Sequence, residues 1–175
     1  MIKTQKLYTL IVLILLIGAK ANAQESIDWI SFPDLEVAMK EDPKPVMIDF
    51  YTVWCGWCKK MDKNVFKDSE VISYINTHYY AVKFNAEQKE TVNFKGRDYK
   101  FVNSGRRGYN EIAAEIMSGQ MRYPTLAFLN EDFEILQLIR GYQTSEELFP
   151  ILNFLGENVY KSKDWNEFMK TWEGK

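Results

Sequence analysis

The stretch Asp49–Met61, DFYTVWCGWCKKM, holds both cysteines of the chain, Cys55 and Cys58. They follow an apolar run and precede Lys59 and Lys60. Such a pair is a structural staple, half of a metal site, or a working dithiol. The run VMIDFYTV, 46–53, is apolar and β-branched almost throughout, the pattern of a strand buried on both faces. A helix is predicted to start near Cys55 and to run through Phe66. The cysteines therefore fall where a core strand hands over to a helix.

A bridge between Cys55 and Cys58 closes a tiny loop. The entropy such a bridge removes from the unfolded chain grows with loop size, so it makes a poor staple. A zinc site needs further ligands, and His78 is the only histidine. His78 lies in the polar stretch NTHYY, where a solvated surface position is expected.

The 175 residues suit one domain, with room for an added segment at an end. Hydrophobic residues make up 46% and aromatics 15%, which supplies a sizeable core and excludes a disordered chain. A formal charge of −2 gives no basic face for nucleic acid.

The first residues read differently. Lys3 and Lys6 precede the apolar run LYTLIVLILLIG, and Ala21 and Ala23 form an Ala-x-Ala site. This is the pattern of a secretory signal peptide over residues 1–23, with an uncleaved anchor as the alternative. The run is short for a membrane span, which needs roughly 20 residues. No cysteine follows it, so no lipid anchor on cysteine is expected. Export to the periplasm or beyond is expected, with a domain over residues 24–175 and the membrane met only through the signal peptide. Loss of Lys3, Lys6 and Lys20 takes the charge from −2 to −5.

Along that domain, PDLEVAMKED reads as a helix opened by Pro33. DSEVISYINTHY reads as another, capped by Asp68 or Ser69, and YYAVKFNA as a strand. Strands alternating with helices favour parallel pairing through right-handed crossovers. TVNF and YKFV flank KGRD, which predicts a β-hairpin inserted over about 91–103. GRRGYNEIAAEIMSGQ carries a helix with Ile112, Ala113, Ile116 and Met117 on one face and Gly119 just past its end. TLAFL and EILQLI, joined by NEDF, are expected to pair antiparallel. Thr144 and Glu147 form a capping box for TSEELFPILNFLG, and Pro150 is expected to kink that helix or delay its start. DWNEFMKTW adds a short helix in an extension over about 158–175, set either on the core or between protomers.

DFYTVWCGWC followed much later by YPTLAFL resembles the thioredoxin superfamily, and most of all its exported bacterial members with a hairpin insertion. The likeness runs from about Trp29 to Gly156. It implies an α/β fold of three layers: a central mixed β-sheet flanked by helices, with the inserted hairpin and an extra C-terminal helix. Within that frame, a cysteine at a helix N-terminus meets the positive end of the helix dipole and unpaired backbone N–H groups. Both favour the thiolate, the attacking species. Cys55 is then expected to be the exposed nucleophile, and Cys58, one turn inside, the resolving thiol. The resemblance implies that Asp49 is the buried carboxylate that takes the proton of Cys58. Its pKa is expected to rise by desolvation. Lys83 matches the lysine beside that carboxylate, in a supporting role. Pro124 matches a cis-proline that brings the Tyr123 backbone beside the dithiol, where an extended substrate pairs with it.

The same likeness implies substrate contacts at Trp54, Gly56, Trp57, Tyr123 and Thr125. Trp57 is nearly forced outward, Tyr51 is expected in the core, and Trp54 and Trp57 offer a flat docking platform. Tyr123 replaces the small or branched residue usual before this proline. Gly-Trp between the cysteines departs from the Gly-Pro of thioredoxins and the Gly-His of many isomerases. That dipeptide tunes a potential that spans about −270 to −120 mV across such proteins. With no charged or histidine neighbour, the reducing side is expected. Arg106 and Arg107, in the loop NSGRRGYN, either sit in solvent or meet a partner's acidic patch.

Three functions compete. The first is an envelope thiol–disulfide oxidoreductase, without metal or other cofactor beyond its Cys55–Cys58 pair. It acts on disulfide-containing proteins and draws electrons from a membrane donor, and a monomer is expected. Run in reverse, the same residues make an oxidase or isomerase. The second is a protein-binding module whose docking the dithiol gates. The third is a thiolate copper carrier, for which Met61 stands alone beside the motif.

Overall fold

A computed structural model describes residues 26–174; the predicted signal peptide, 1–23, lies outside them. The strands of the central sheet are β1 (Trp29–Ile30), β2 (Val46–Tyr51), β3 (Tyr80–Asn85), β8 (Thr125–Leu129) and β9 (Ile135–Arg140). Their order is β1-β3-β2-β8-β9. β1 and β2 run parallel to β3, β8 runs antiparallel to β2, and β9 antiparallel to β8. The sheet is therefore mixed, with β2 at its centre.

Helices cover both faces. α1 (Phe32–Glu41) and α4 (Glu111–Ile116) lie on one side, packing Phe32, Leu35 and Ile112 against Ile48, Phe50, Val82 and Phe84. α2 (Gly56–Asn64), α3 (Ser69–His78) and α5 (Ser145–Gly156) lie on the other, packing Met61, Ile72, Ile75 and Leu152 against Met47, Ala81, Leu126 and Phe128. Side chains alternate along a strand, so Ile48 and Phe50 share one face of β2 while Met47 and Asp49 share the other. That alternation turns Asp49 towards the side that α2 covers.

Local chemistry sets the helix ends. The Asp68 carboxylate accepts the N–H groups of Glu70 and Val71 and caps α3. Thr144 and Glu147 form the reciprocal capping box of α5. Pro150 does not delay that helix: α5 runs from Ser145 through it. The carbonyl that loses its helical partner to proline is that of Glu146, an exposed residue. The last helix, α6 (Trp165–Thr171), packs on α5, with Phe154 placed 5.3 Å from Trp165 and 5.2 Å from Phe168 between ring centres.

Between β3 and α4 the chain forms two hairpins rather than one. β4 (Val92–Phe94) pairs with β5 (Arg97–Tyr99), and β6 (Phe101–Ser104) pairs with β7 (Arg107–Asn110). The run YKFV is divided at Lys100, and NSGRRGYN, read above as a loop, contains a strand. Val92, Phe94 and Tyr99 turn into the core, which anchors the first hairpin. Asn110 ends the second and caps α4 through its side chain, so this helix starts at Glu111, just ahead of its apolar face, and stops at Ile116 with Met117 as its cap.

Candidate active site

Cys55 has extended backbone and caps α2, its sulfur accepting the Cys58 N–H at 3.1 Å. Its own N–H donates to the Thr52 carbonyl at 3.1 Å, which closes the turn out of β2. The two cysteines are joined by a disulfide, their Cα atoms 5.3 Å apart. Cys55 is 4% exposed and Cys58 2%. The expectation of an exposed Cys55 is thus corrected for the oxidised protein. The bond to Cys58 and the hydrogen bond from its N–H hold that sulfur over the first helical turn.

On the sheet side lies an ion cluster built on one buried carboxylate. Asp49 is 2% exposed, and its Oδ2 accepts a hydrogen bond from Lys83 Nζ at 2.6 Å. Its Oδ1 has no hydrogen-bond partner among the described residues. The same ammonium reaches Asp62 of α2 at 2.5 Å. It also sits 4.9 to 5.3 Å from the ring centres of Tyr51, Trp29 and Phe66, a favourable place for a cation. Burial raises the Asp49 pKa above the ordinary carboxylate range, and the positive charge of Lys83 opposes that rise only in part. Lys83 is pushed up: its burial works the other way, and the two carboxylates outweigh it and hold it charged.

The Tyr123–Pro124 bond is cis. Phe50 pairs with Thr125, so Pro124 lies beside the end of β2, next to the dithiol turn. Tyr123 meets Trp54 edge to face at 5.9 Å. Burial and the nearby Glu87 carboxylate push the Tyr123 hydroxyl up to about 12, so it stays protonated. Trp54 and Trp57 are 47% and 57% exposed, and Gly56 between them faces open space. Tyr51 is half-buried against Lys83. Thr125 does not reach the surface: it is fully buried, and its hydroxyl donates to the Arg122 carbonyl at 2.7 Å. A substrate contact by its side chain is therefore corrected to a turn-closing role. His78 is half-buried, stacked on Tyr74 with ring centres 4.0 Å apart. No cluster of three or more histidine, cysteine or acidic side chains that suits a metal ion occurs among the described residues.

The double hairpin is tied to the dithiol turn. Ala86 N–H donates to the Tyr51 carbonyl at 2.9 Å, and Asn110 N–H donates to the Ala86 carbonyl at 2.7 Å. The buried Asn110 side chain also binds the Glu90 carbonyl at 3.1 Å. Next to Ala86, Glu87 receives the indole N–H of Trp54, each carboxylate oxygen 3.0 Å away. From β7, Arg107 lays its guanidinium 3.8 Å from the centre of the Trp54 ring.

Asp62, Glu87 and Arg107 join the site without having been singled out for it. Asp62 carried a signal, standing four positions after Cys58 and so on the same helix face. Glu87 carried none, being 33 positions from Trp54.

Residues 32–156 match the model of the thioredoxin-like domain family. Among curated proteins, the chain is 30% identical to the thiol:disulfide interchange protein DsbD of Pectobacterium atrosepticum, over 37% of this chain and 15% of that one. It is 29% identical to the disulfide bond reductase DsbH of Chlamydia pneumoniae, over 38% of this chain and 41% of that one. The chain thus spans less than half the length of either relative. Among solved structures, a thioredoxin-fold protein from Helicobacter pylori superposes with a TM-score of 0.58 at 20% identity, over 86% of this chain and 89% of that one. With the family model covering most of its length, the chain belongs to the thioredoxin-like domain family.

Proposed function

We propose that this protein is a thiol–disulfide oxidoreductase that reduces disulfides in exported proteins. The observation that carries the reading is the Cys55–Cys58 disulfide at the start of α2, with the unpartnered Oδ1 of a buried carboxylate on the sheet face that α2 covers. The names of the two curated relatives, an interchange protein and a reductase, support the same chemistry. The signal-peptide pattern before Gln24 supports the exported setting.

The cycle starts from the reduced pair. The Cys55 thiolate, favoured by the N-terminus of α2, attacks one sulfur of a substrate disulfide. A Cys55–substrate disulfide forms, and the first substrate sulfur leaves as a thiolate and takes a proton. Cys58 gives its proton to Asp49 Oδ1 and attacks the Cys55 sulfur. The second substrate sulfur leaves and is protonated, and the Cys55–Cys58 disulfide remains. Two electrons and two protons pass to the substrate. Asp49 suits the proton transfer because burial raises its pKa, which makes it a better proton acceptor than an exposed carboxylate. Lys83 positions its other oxygen. Restoring the dithiol needs a second dithiol donor, which we place in the membrane.

The absence of a charged hydrogen-bond donor on the Cys55 sulfur supports the reducing direction. That sulfur accepts one backbone N–H, and no charged side chain donates to it among the described residues. A weakly stabilised thiolate gives a low potential, because an oxidising pair is one whose reduced form is stabilised. Insulin reduction with dithiothreitol tests the reading. Wild type is expected to accelerate it and Cys55→Ser to abolish the acceleration. Equal rates in the two proteins would point instead to a binding module acting through Trp54 and Trp57.

A further inference from the structure

We propose that this enzyme selects disulfides flanked by acidic residues, and that the second hairpin exists in part to provide that selection. The inference rests on the oxidoreductase reading above.

Two cations are parked on aromatic rings that neighbour the cysteines in sequence. Arg107 of β7 lies 3.8 Å from the ring centre of Trp54, the residue before Cys55. Lys60 Nζ lies 4.9 Å from the ring of Trp57, between the cysteines, and 4.8 Å from that of Tyr142. Trp57 and Tyr142 themselves meet at 5.5 Å. Both cations are exposed, and neither forms an ion pair among the described residues. Glu87 makes no ion pair with Arg107, its two oxygens facing the Trp54 indole N–H, but it keeps its negative charge beside the same ring.

The arrangement runs against the character of the chain. Acidic residues outnumber basic ones, 24 to 22. Lys60 and Arg107, neither in an ion pair among the described residues, therefore set two positive charges on the rings next to the cysteines in sequence, against the single negative charge of Glu87. A ring face fixes where a cation sits without consuming its charge or its hydrogen-bond donors. Arg107 keeps its guanidinium fork for a carboxylate, which it grips in two places at once. The hairpin is not free to drift, since Asn110 ties its end to Ala86 and Ala86 to the end of β2. A substrate segment lying across the disulfide and the exposed Trp54 and Trp57 would thus meet a cation at each ring. The occupant that fits is an extended segment with Asp or Glu beside its cysteines.

The test uses three synthetic peptides of one backbone sequence, each with one internal disulfide. The residues beside each cysteine are Asp, Ser or Lys. The full protein is reduced, and the single-turnover rate with each peptide is followed by tryptophan fluorescence. Each rate is divided by the rate of dithiothreitol alone with the same peptide, which removes differences in intrinsic reactivity. Two exposed opposite-charge contacts predict the Asp peptide ahead of the Lys peptide by about threefold to tenfold. The gap should close in about 0.5 M NaCl, where the Debye length is about 4 Å. It should also close in the Lys60→Ala, Arg107→Ala variant and reverse in Lys60→Glu, Arg107→Glu. Equal normalised rates for the three peptides overturn the proposal, as does a preference that survives the substitutions. Failure to reduce even the Ser peptide overturns the oxidoreductase reading itself, and this proposal with it.

Discussion

Replacing Lys83 with methionine removes one charge and little volume, and its effect on stability should depend on pH in a defined sense. Lys83 Nζ lies 2.6 Å from Asp49 and 2.5 Å from Asp62. Asp49 is buried, whereas the Asp62 side chain is 41% exposed, so the loss is felt almost entirely by Asp49. Breaking a buried pair from one side costs about 3–5 kcal/mol. The Lys83 side chain keeps 22% of its surface exposed, which places the expected loss at the lower end, about 3 kcal/mol.

That loss applies only while Asp49 is ionised. Burial raises the Asp49 pKa and Lys83 lowers it, so the variant raises it further. A raised carboxylate binds its proton more tightly folded than unfolded. The penalty is therefore full above the folded pKa and fades as pH falls through it. Lys83 itself contributes no slope here. Its pKa is raised from 10.5, so its stabilisation persists below that value and fades only at higher pH. Urea unfolding of the oxidised protein, followed by circular dichroism at about pH 8 and about pH 5, reads the difference directly. The gap between wild type and Lys83→Met should be larger at the higher pH. It should lose its pH dependence in an Asp49→Asn background. An equal gap at both pH values, or none, would refute the reasoning.

Other perturbations give separate readouts. Asn110→Ala removes a helix cap, worth about 1 kcal/mol, and a buried hydrogen bond of similar worth. Thermal unfolding should fall by about 4–8 °C, since each kcal/mol moves a domain of this size by about 2–4 °C. Gly108→Ala would place a Cβ 2.1 Å from the Phe101 ring and 2.4 Å from the Val102 carbonyl. The second hairpin must then shift, and hydrogen exchange should quicken in residues 101–110 while the central sheet keeps its protection. Trp172→Ala removes the ring that packs on Phe149 and Phe168. Proteolysis should then release α6 earlier than in wild type.

The central sheet was legible because its signals are local and repeated. VMIDFYTV and TLAFL are apolar almost throughout, as only strands covered on both faces can be. Asp68 and Thr144 announced their helices by capping chemistry. The second hairpin was not legible. Its strands are short, one carries Gly108 and Arg107, and neither shows a clean alternation of apolar and polar residues. Its place is set by Asn110, whose hydrogen bonds reach back to Gln88 and Glu90. Cys55, Cys58 and Asp49 could be picked out because spacing and an isolated charge in an apolar run mark them. Asp62 shares a helix face with Cys58, but its meeting with Lys83, like that of Arg107 with Trp54, joins distant stretches of chain, and no local pattern encodes which partner a surface charge will find.

The central claim is that Cys55 is ionised near neutrality once the pair is reduced, and that Cys58 is not. Alkylation of the reduced protein by iodoacetamide from about pH 4 to about pH 10, with the modified residue identified by mass spectrometry, tests it most directly. The account predicts a single fast modification at Cys55 with a midpoint below the ordinary thiol value of about 8.5. Equal reaction at both cysteines, or a Cys55 midpoint at or above that value, would contradict it.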